Sequence, residues 1–129
     1  MRYLFWLSPA LVALLLLTGC AATHSSGDSS TDRNLLTREQ IEEQTYRTAY
    51  ELVDALRSNW LRTRGTDSFR SPTQVQVYVN DSRVGGVDAL RTIATQDIAY
   101  IRYYDANAAT ARWGLDHGQG AIYVATGPR

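Results

Sequence analysis

The amino-acid sequence predicts a small mixed domain of the α/β (α+β) class: one long amphipathic helix, then elements in β-α-β-α-β order. Three observations carry this expectation. Apolar residues recur at three- and four-residue steps from Ile41 to Trp60. Short runs around Val77, Ile101 and Val124 alternate with a period of two. The stretches between those runs carry helix caps and tight-turn residues rather than long polar loops. With 129 residues there is room for one such domain.

Ahead of the domain, Met1 and Arg2 form a short positive start, and Leu4 to Leu17 is apolar apart from Ser8 and Pro9. That run suits the apolar part of a signal peptide, about 7–15 residues, better than a bilayer span of about 20. It ends in Leu17-Thr18-Gly19-Cys20, which resembles the bacterial lipobox: an aliphatic residue, two small residues, then Cys. The resemblance implies cleavage between Gly19 and Cys20 and a thioether-linked diacylglycerol on Cys20. More than one acyl chain is what stable anchoring requires. Ala21 rather than Asp follows the Cys. By resemblance to enterobacterial sorting, this implies the periplasmic side of the outer membrane. Residues 1–19 are therefore expected as signal peptide and 20–34 as a flexible tether. The segment Ala21 to Asn34 is rich in Ser, Thr, Gly and Asp and has almost nothing to bury. His24 lies in it and is assigned no role.

The domain is expected to span 35–127. Thr37 followed by Gln40 is a capping-box pattern, and Leu36 and Ile41 can form a hydrophobic staple around it. The helix they start is expected to carry Ile41, Ala49, Leu52, Val53, Leu56 and Trp60 on one face and to end at Gly65. Acidic residues early in it and Arg57, Arg62 and Arg64 late in it suit its dipole. Tyr46 and Tyr50 fall at the margin of the apolar face.

Val75, Val77 and Val79 form one face of the first strand. Asn80 to Arg83 is a turn, Val84 resumes briefly, and Asp88 can cap a short helix carrying Leu90 and Ile93. Ile98 to Tyr104 is a second strand: Ala99, Ile101 and Tyr103 face one way, and Tyr100, Arg102 and Tyr104 the other. Asp105 caps a helix from Ala106 to Trp113, and Gly114 closes it. Gly118 and Gly120 sit in a turn before the last strand, Ala121 to Thr126. Right-handed crossovers predict parallel pairing where these strands are neighbours.

From Val75 to Gly127 the chain resembles the plug domain of TonB-dependent outer-membrane receptors. Val77-Tyr78-Val79-Asn80-Asp81 is similar to the family's V-x-V-D-G strand and turn, with Ser82 where Gly is usual. Leu90 to Ile98 is similar to its L-x-x-I-x-x-x-D-I link, and Ala99 to Tyr104 to its E-S-I-E-V-L strand. Ala106 to Gly114 stands where the family has G-x-A-S-A-L-Y-G, and Gly118 to Thr126 resembles its final G-A-I-N-I-x-T strand. The resemblance implies a small plug-like mixed sheet. A transport barrel of its own is not expected, since no run ahead of Val75 alternates like barrel strands and the sequence stops at Arg129.

Function is expected to be non-enzymatic. No H-E-x-x-H, G-x-S-x-G or phosphate-loop motif occurs, and Asp81, Asp88, Asp97, Asp105 and Asp116 read as cap and turn residues. His117 lies in the Gly-rich turn, and the single Cys excludes an internal disulfide. No catalytic residue, metal site or cofactor is expected. A net charge of zero offers no field for nucleic acid. The expected partners are the membrane, through the lipid anchor, and an envelope protein. The face Tyr100, Arg102, Tyr104 is the candidate docking surface, because Tyr and Arg are enriched where proteins meet. The alternative expectation is a small periplasmic ligand-binding lipoprotein, which would need a pocket with a few converging polar groups.

Overall fold

The computed structural model describes residues 32–65 and 74–127; the expected signal peptide, Gly19, Cys20 and most of the tether lie outside the described residues. The elements are β1 (Leu35–Leu36), α1 (Arg38–Glu42), α2 (Ala49–Arg57), β2 (Gln76–Val79), β3 (Ser82–Gly85), β4 (Ile98–Tyr104), α3 (Ala106–Trp113) and β5 (Ala121–Thr126). Single 3-10 turns at Ser58–Trp60, Val87–Thr92 and Thr95–Asp97 connect them. One five-stranded mixed sheet runs β1-β4-β5-β2-β3. The mixed α/β class expected from the sequence is what forms.

The single long helix does not form. Thr37 starts α1 with the expected capping box, its hydroxyl accepting from the Gln40 N–H and the Gln40 side chain accepting from the Thr37 N–H. Leu36 and Ile41 are both buried beside it. α1 then stops after one turn, because Thr48 opens a second cap. Its hydroxyl accepts from the Glu51 N–H, and the Glu51 carboxylate accepts from the Arg47 N–H. Residues around Thr48 also bridge the 93–95 segment: Ala49 N–H donates to Ile93 O and Thr95 N–H to Arg47 O. A continuous helix would spend those backbone groups internally. α2 ends at Arg57, well short of Gly65, which does adopt a left-handed φ of 73°.

Three further expectations are corrected. Asp88 is not a cap: Gly86 precedes a 3-10 turn without a side-chain cap, and Asp88 pairs with Arg91. Ala99 does not share the face of Ile101, because it is the extra residue of a bulge that steps from the Ile98–Thr126 pair to the Tyr100–Ala125 pair. Of the neighbouring strands, β2 and β5 are parallel as expected, but β4 and β5 are antiparallel. The chain leaves β4 at Tyr104, runs through α3, and the residues 114–120 return it to the same end, where Tyr104 pairs with Ala121. β2 and β3 form a hairpin around Asn80 and Asp81, whose φ values of 47° and 66° are those of a two-residue primed turn.

The sheet has two buried faces. α1, α2 and the turns cover one, where Leu52, Val53, Trp60, Val77, Leu90, Ile101, Ile122 and Val124 are fully buried. α3 covers part of the other, over Tyr78, Ala121, Tyr123 and Ala125. β2 is therefore buried on both sides, not on one.

Candidate functional site

The second face of the sheet carries the unusual chemistry. α3 is held there by its ends. The Asp105 carboxylate accepts from the Ala108 N–H at 2.8 Å, and Gly114 closes the helix with φ 105°. Ala109 lets the helix sit close to the sheet. Trp113 then stacks on Tyr78 with ring centroids 4.2 Å apart and meets Tyr104 edge-on at 5.2 Å. Tyr123 completes the cluster, 6.4 Å from both Trp113 and Tyr104. The Arg112 guanidinium lies 4.9–5.3 Å from the centroids of Trp113, Tyr123 and Tyr104 and bonds Asp81 at 2.7 Å. The hydrogen bond to Asp81 holds the Arg112 proton more firmly than usual. Burial, then the Asp81 charge, pushes the Tyr123 phenol above its usual range.

Two polar residues of the turn before β5 are buried, His117 against Tyr78 and Trp113 and Gln119 against the 64–65 backbone. His117 Nδ1 lies 2.9 Å from the Gly114 carbonyl, and its Nε2 lies 2.7 Å from the Tyr78 hydroxyl. A carbonyl only accepts, so in the neutral ring Nδ1 carries the proton and Nε2 accepts from Tyr78. Gln119 clamps a backbone stretch: its amide oxygen accepts from the Arg64 N–H and its amide nitrogen donates to the Arg64 and Gly65 carbonyls. His117 and Gln119 thus satisfy loop backbone in the interior. In the sequence they read as turn residues; nothing local marks them as buried.

Tyr103 behaves similarly on the core face. Its hydroxyl donates to the Gln119 carbonyl at 3.2 Å, and burial pushes its pKa up, with Arg64 opposing and Asp105 adding. Above the ordinary tyrosine pKa of about 10, the unfolded chain ionises while the folded one keeps its proton. Stability from this group is thus complete below about pH 10 and lost as the pH climbs through the raised folded value. Urea midpoints measured between pH 8 and pH 11.5 should fall less steeply in Tyr103→Phe than in the parent.

The structure brings the sequence-predicted docking residues together. Tyr100, Arg102 and Tyr104 line the outer side of β4, and with Leu35 of β1 they enclose a shallow depression of about 270 Å³. Tyr100 is 39% exposed. Arg102 is held by Asp32 at 3.1 Å, at the root of the expected tether. Asp32 itself is ordered by a turn, accepting from the Asn34 and Leu35 N–H groups, so order begins ahead of Leu35. Tyr104 belongs to both regions, since its hydroxyl accepts from Arg112 at 3.1 Å.

Both sheet edges are guarded. Beyond the two-residue β1, the Arg38 guanidinium donates to the Gln96 and Ile98 carbonyls. The β2–β3 pair is bulged between Val77 and Tyr78, and Arg83 on β3 is tied to Gln76. Short, bulged, Arg-guarded edges discourage strand addition. A larger open cleft of about 640 Å³ lies between α1 and the Thr95–Asp97 turn, lined by Arg38, Glu42, Gln44 and Thr95 among others. Among the described residues no group of three or more His, Cys, Asp or Glu could hold a metal ion, and no helix is long and apolar enough to cross a membrane.

Fold and site together define a small mixed α/β domain with one aromatic-and-arginine face. No protein-family model matches the chain, and no curated protein and no solved structure was found to match it.

Proposed function

We propose that this chain is a non-enzymatic lipoprotein, anchored through Cys20 to the periplasmic side of the outer membrane, whose plug-like domain is a protein-interaction module of the cell envelope. The observation that carries the interaction is the Leu35–Tyr100–Arg102–Tyr104 depression: an aromatic and arginine surface left open on a sheet whose opposite face is core. The plug-like reading is supported by the order of its motif residues in the sequence from Val75 to Gly127. The anchor is supported by the apolar run and the Leu17-Thr18-Gly19-Cys20 sequence.

Two measurements test this. Cys20→Ser in the full chain, expressed in a diderm bacterium, should lose acyl incorporation and leave the outer-membrane fraction; retention of both would remove the anchor. In-cell crosslinking of the tagged parent should repeatedly recover one envelope protein that is lost in Arg102→Ala with Tyr104→Ala. Recovery unaffected by that pair would remove the docking face.

The second reading, a small ligand-binding lipoprotein, draws on the 640 Å³ cleft, which lies within the roughly 300–1,000 Å³ of small-molecule sites. Its polar groups are largely engaged internally: Arg38 pairs with Glu42 at 2.6 Å and Thr95 donates to the Tyr46 carbonyl at 2.6 Å.

A further inference from the structure

The docking face already holds one ligand group, and it comes from the chain itself. Asp32 places one carboxylate oxygen on the Asn34 N–H and the other on Arg102 Nη2. A guanidinium has five N–H donors. The Asp32 contact engages one of them, and the Arg102 side chain remains 40% exposed. The site therefore shows an affinity for carboxylate and has donors left for the two-pronged geometry that Arg and carboxylates favour. Beside it, the Tyr100 and Tyr104 rings and Leu35 enclose space for a single apolar side chain, not for a long ligand. Arg112, itself paired with Asp81, donates to the Tyr104 hydroxyl and holds that ring at the side of the depression.

We propose that this depression takes an acidic residue and an adjacent aromatic or large aliphatic residue from a partner protein. The carboxylate binds Arg102 beside or in place of Asp32, and the apolar side chain lies against Tyr100 and Tyr104. Asp32 is then an intramolecular competitor for the same guanidinium. The inference rests on the interaction reading and specifies its chemistry.

The test uses the full lipidated chain in phosphocholine detergent micelles, followed by amide NMR during titration with N-acetyl-Phe-Asp amide, N-acetyl-Phe-Asn amide and N-acetyl-Ala-Asp amide. Shifts confined to Leu35, Tyr100, Arg102, Tyr104 and their neighbours are expected, strongest for Phe-Asp. Asp32→Asn, which keeps the turn acceptor, should tighten Phe-Asp binding by about 1.5- to 5-fold, the range of an exposed ion pair. Arg102→Gln should erase the preference for Asp over Asn. Equal binding of the Asp and Asn peptides, shifts elsewhere on the domain, or no binding would overturn the proposal. So would the same shifts produced by phosphoglycerol headgroups alone, which would make the face a lipid contact. If the peptides fail while crosslinking still recovers a protein dependent on Arg102 and Tyr104, the acidic-apolar chemistry falls and the interaction reading stands.

Discussion

Gly120→Ala is expected to cost the domain about 3 kcal/mol or more, from left-handed backbone strain of about 1–2 kcal/mol and overpacking of about 1–3 kcal/mol. Gly120 has φ 84°, and a Cβ built there would lie 2.5 Å from the Tyr104 carbonyl oxygen and 2.7 Å from the Tyr103 hydroxyl. The carbonyl belongs to the sheet and cannot yield. Gly120 also carries two backbone bonds that set the start of β5, donating to His117 O and accepting from Gln76 N–H. Domains of this size are stable by about 5–15 kcal/mol, so the variant should lose a large share of its stability and unfold at a much lower urea midpoint. Gly114→Ala is the comparison: its φ of 105° also disfavours a side chain, but nothing lies within 4 Å of the added Cβ. Urea unfolding of both variants separates strain from collision. If Gly120→Ala loses no more than Gly114→Ala, the close approach to β4 is wrong.

Trp60→Ala should cost about 3–5 kcal/mol, the usual range for emptying a large aromatic site in a core. Trp60 is fully buried at the end of the 3-10 turn that follows α2 and stacks on Tyr103 at 5.7 Å. Its indole N–H has no hydrogen-bond partner among the described residues. Leaving a buried donor unmet costs about 1–3 kcal/mol, so Trp60→Phe should recover much of the loss in volume by removing that donor while keeping a ring against Tyr103. Calorimetric or urea unfolding of the two variants should show Trp60→Phe far nearer the parent than Trp60→Ala. Equal losses would mean that the N–H is satisfied after all.

Much of the local structure was legible in the residues. The limits of β4 and β5 follow the period-two runs at 98–104 and 121–126. The caps at Thr37 and Asp105 and the stop at Gly114 formed as their side chains dictate. The break in the long helix is written in the sequence: Thr48-Ala49-Tyr50-Glu51 has the capping-box spacing in the middle of the periodic run, and Thr48 does cap α2. Apolar positions stay in phase across the break, so periodicity alone cannot see it. Alternation puts Tyr100, Arg102 and Tyr104 on one side of β4, where the Arg102 side chain is 40% exposed.

By itself the sequence determined what depends on neighbours two to four residues away: the caps at Thr37 and Asp105, the stop at Gly114, and that Tyr100, Arg102 and Tyr104 lie together. Only the tertiary structure decided which strands meet, because β5 enters between β4 and β2 through contacts among residues as distant as Gln76 and Ala121. It alone gathered Tyr104, Trp113 and Tyr123 around Arg112, and it alone buried His117 and Gln119. The reason is physical. A helix cap is satisfied by bonds along its own stretch of chain, whereas a strand's backbone and a buried polar side chain are stable only when groups from elsewhere in the chain arrive to meet them.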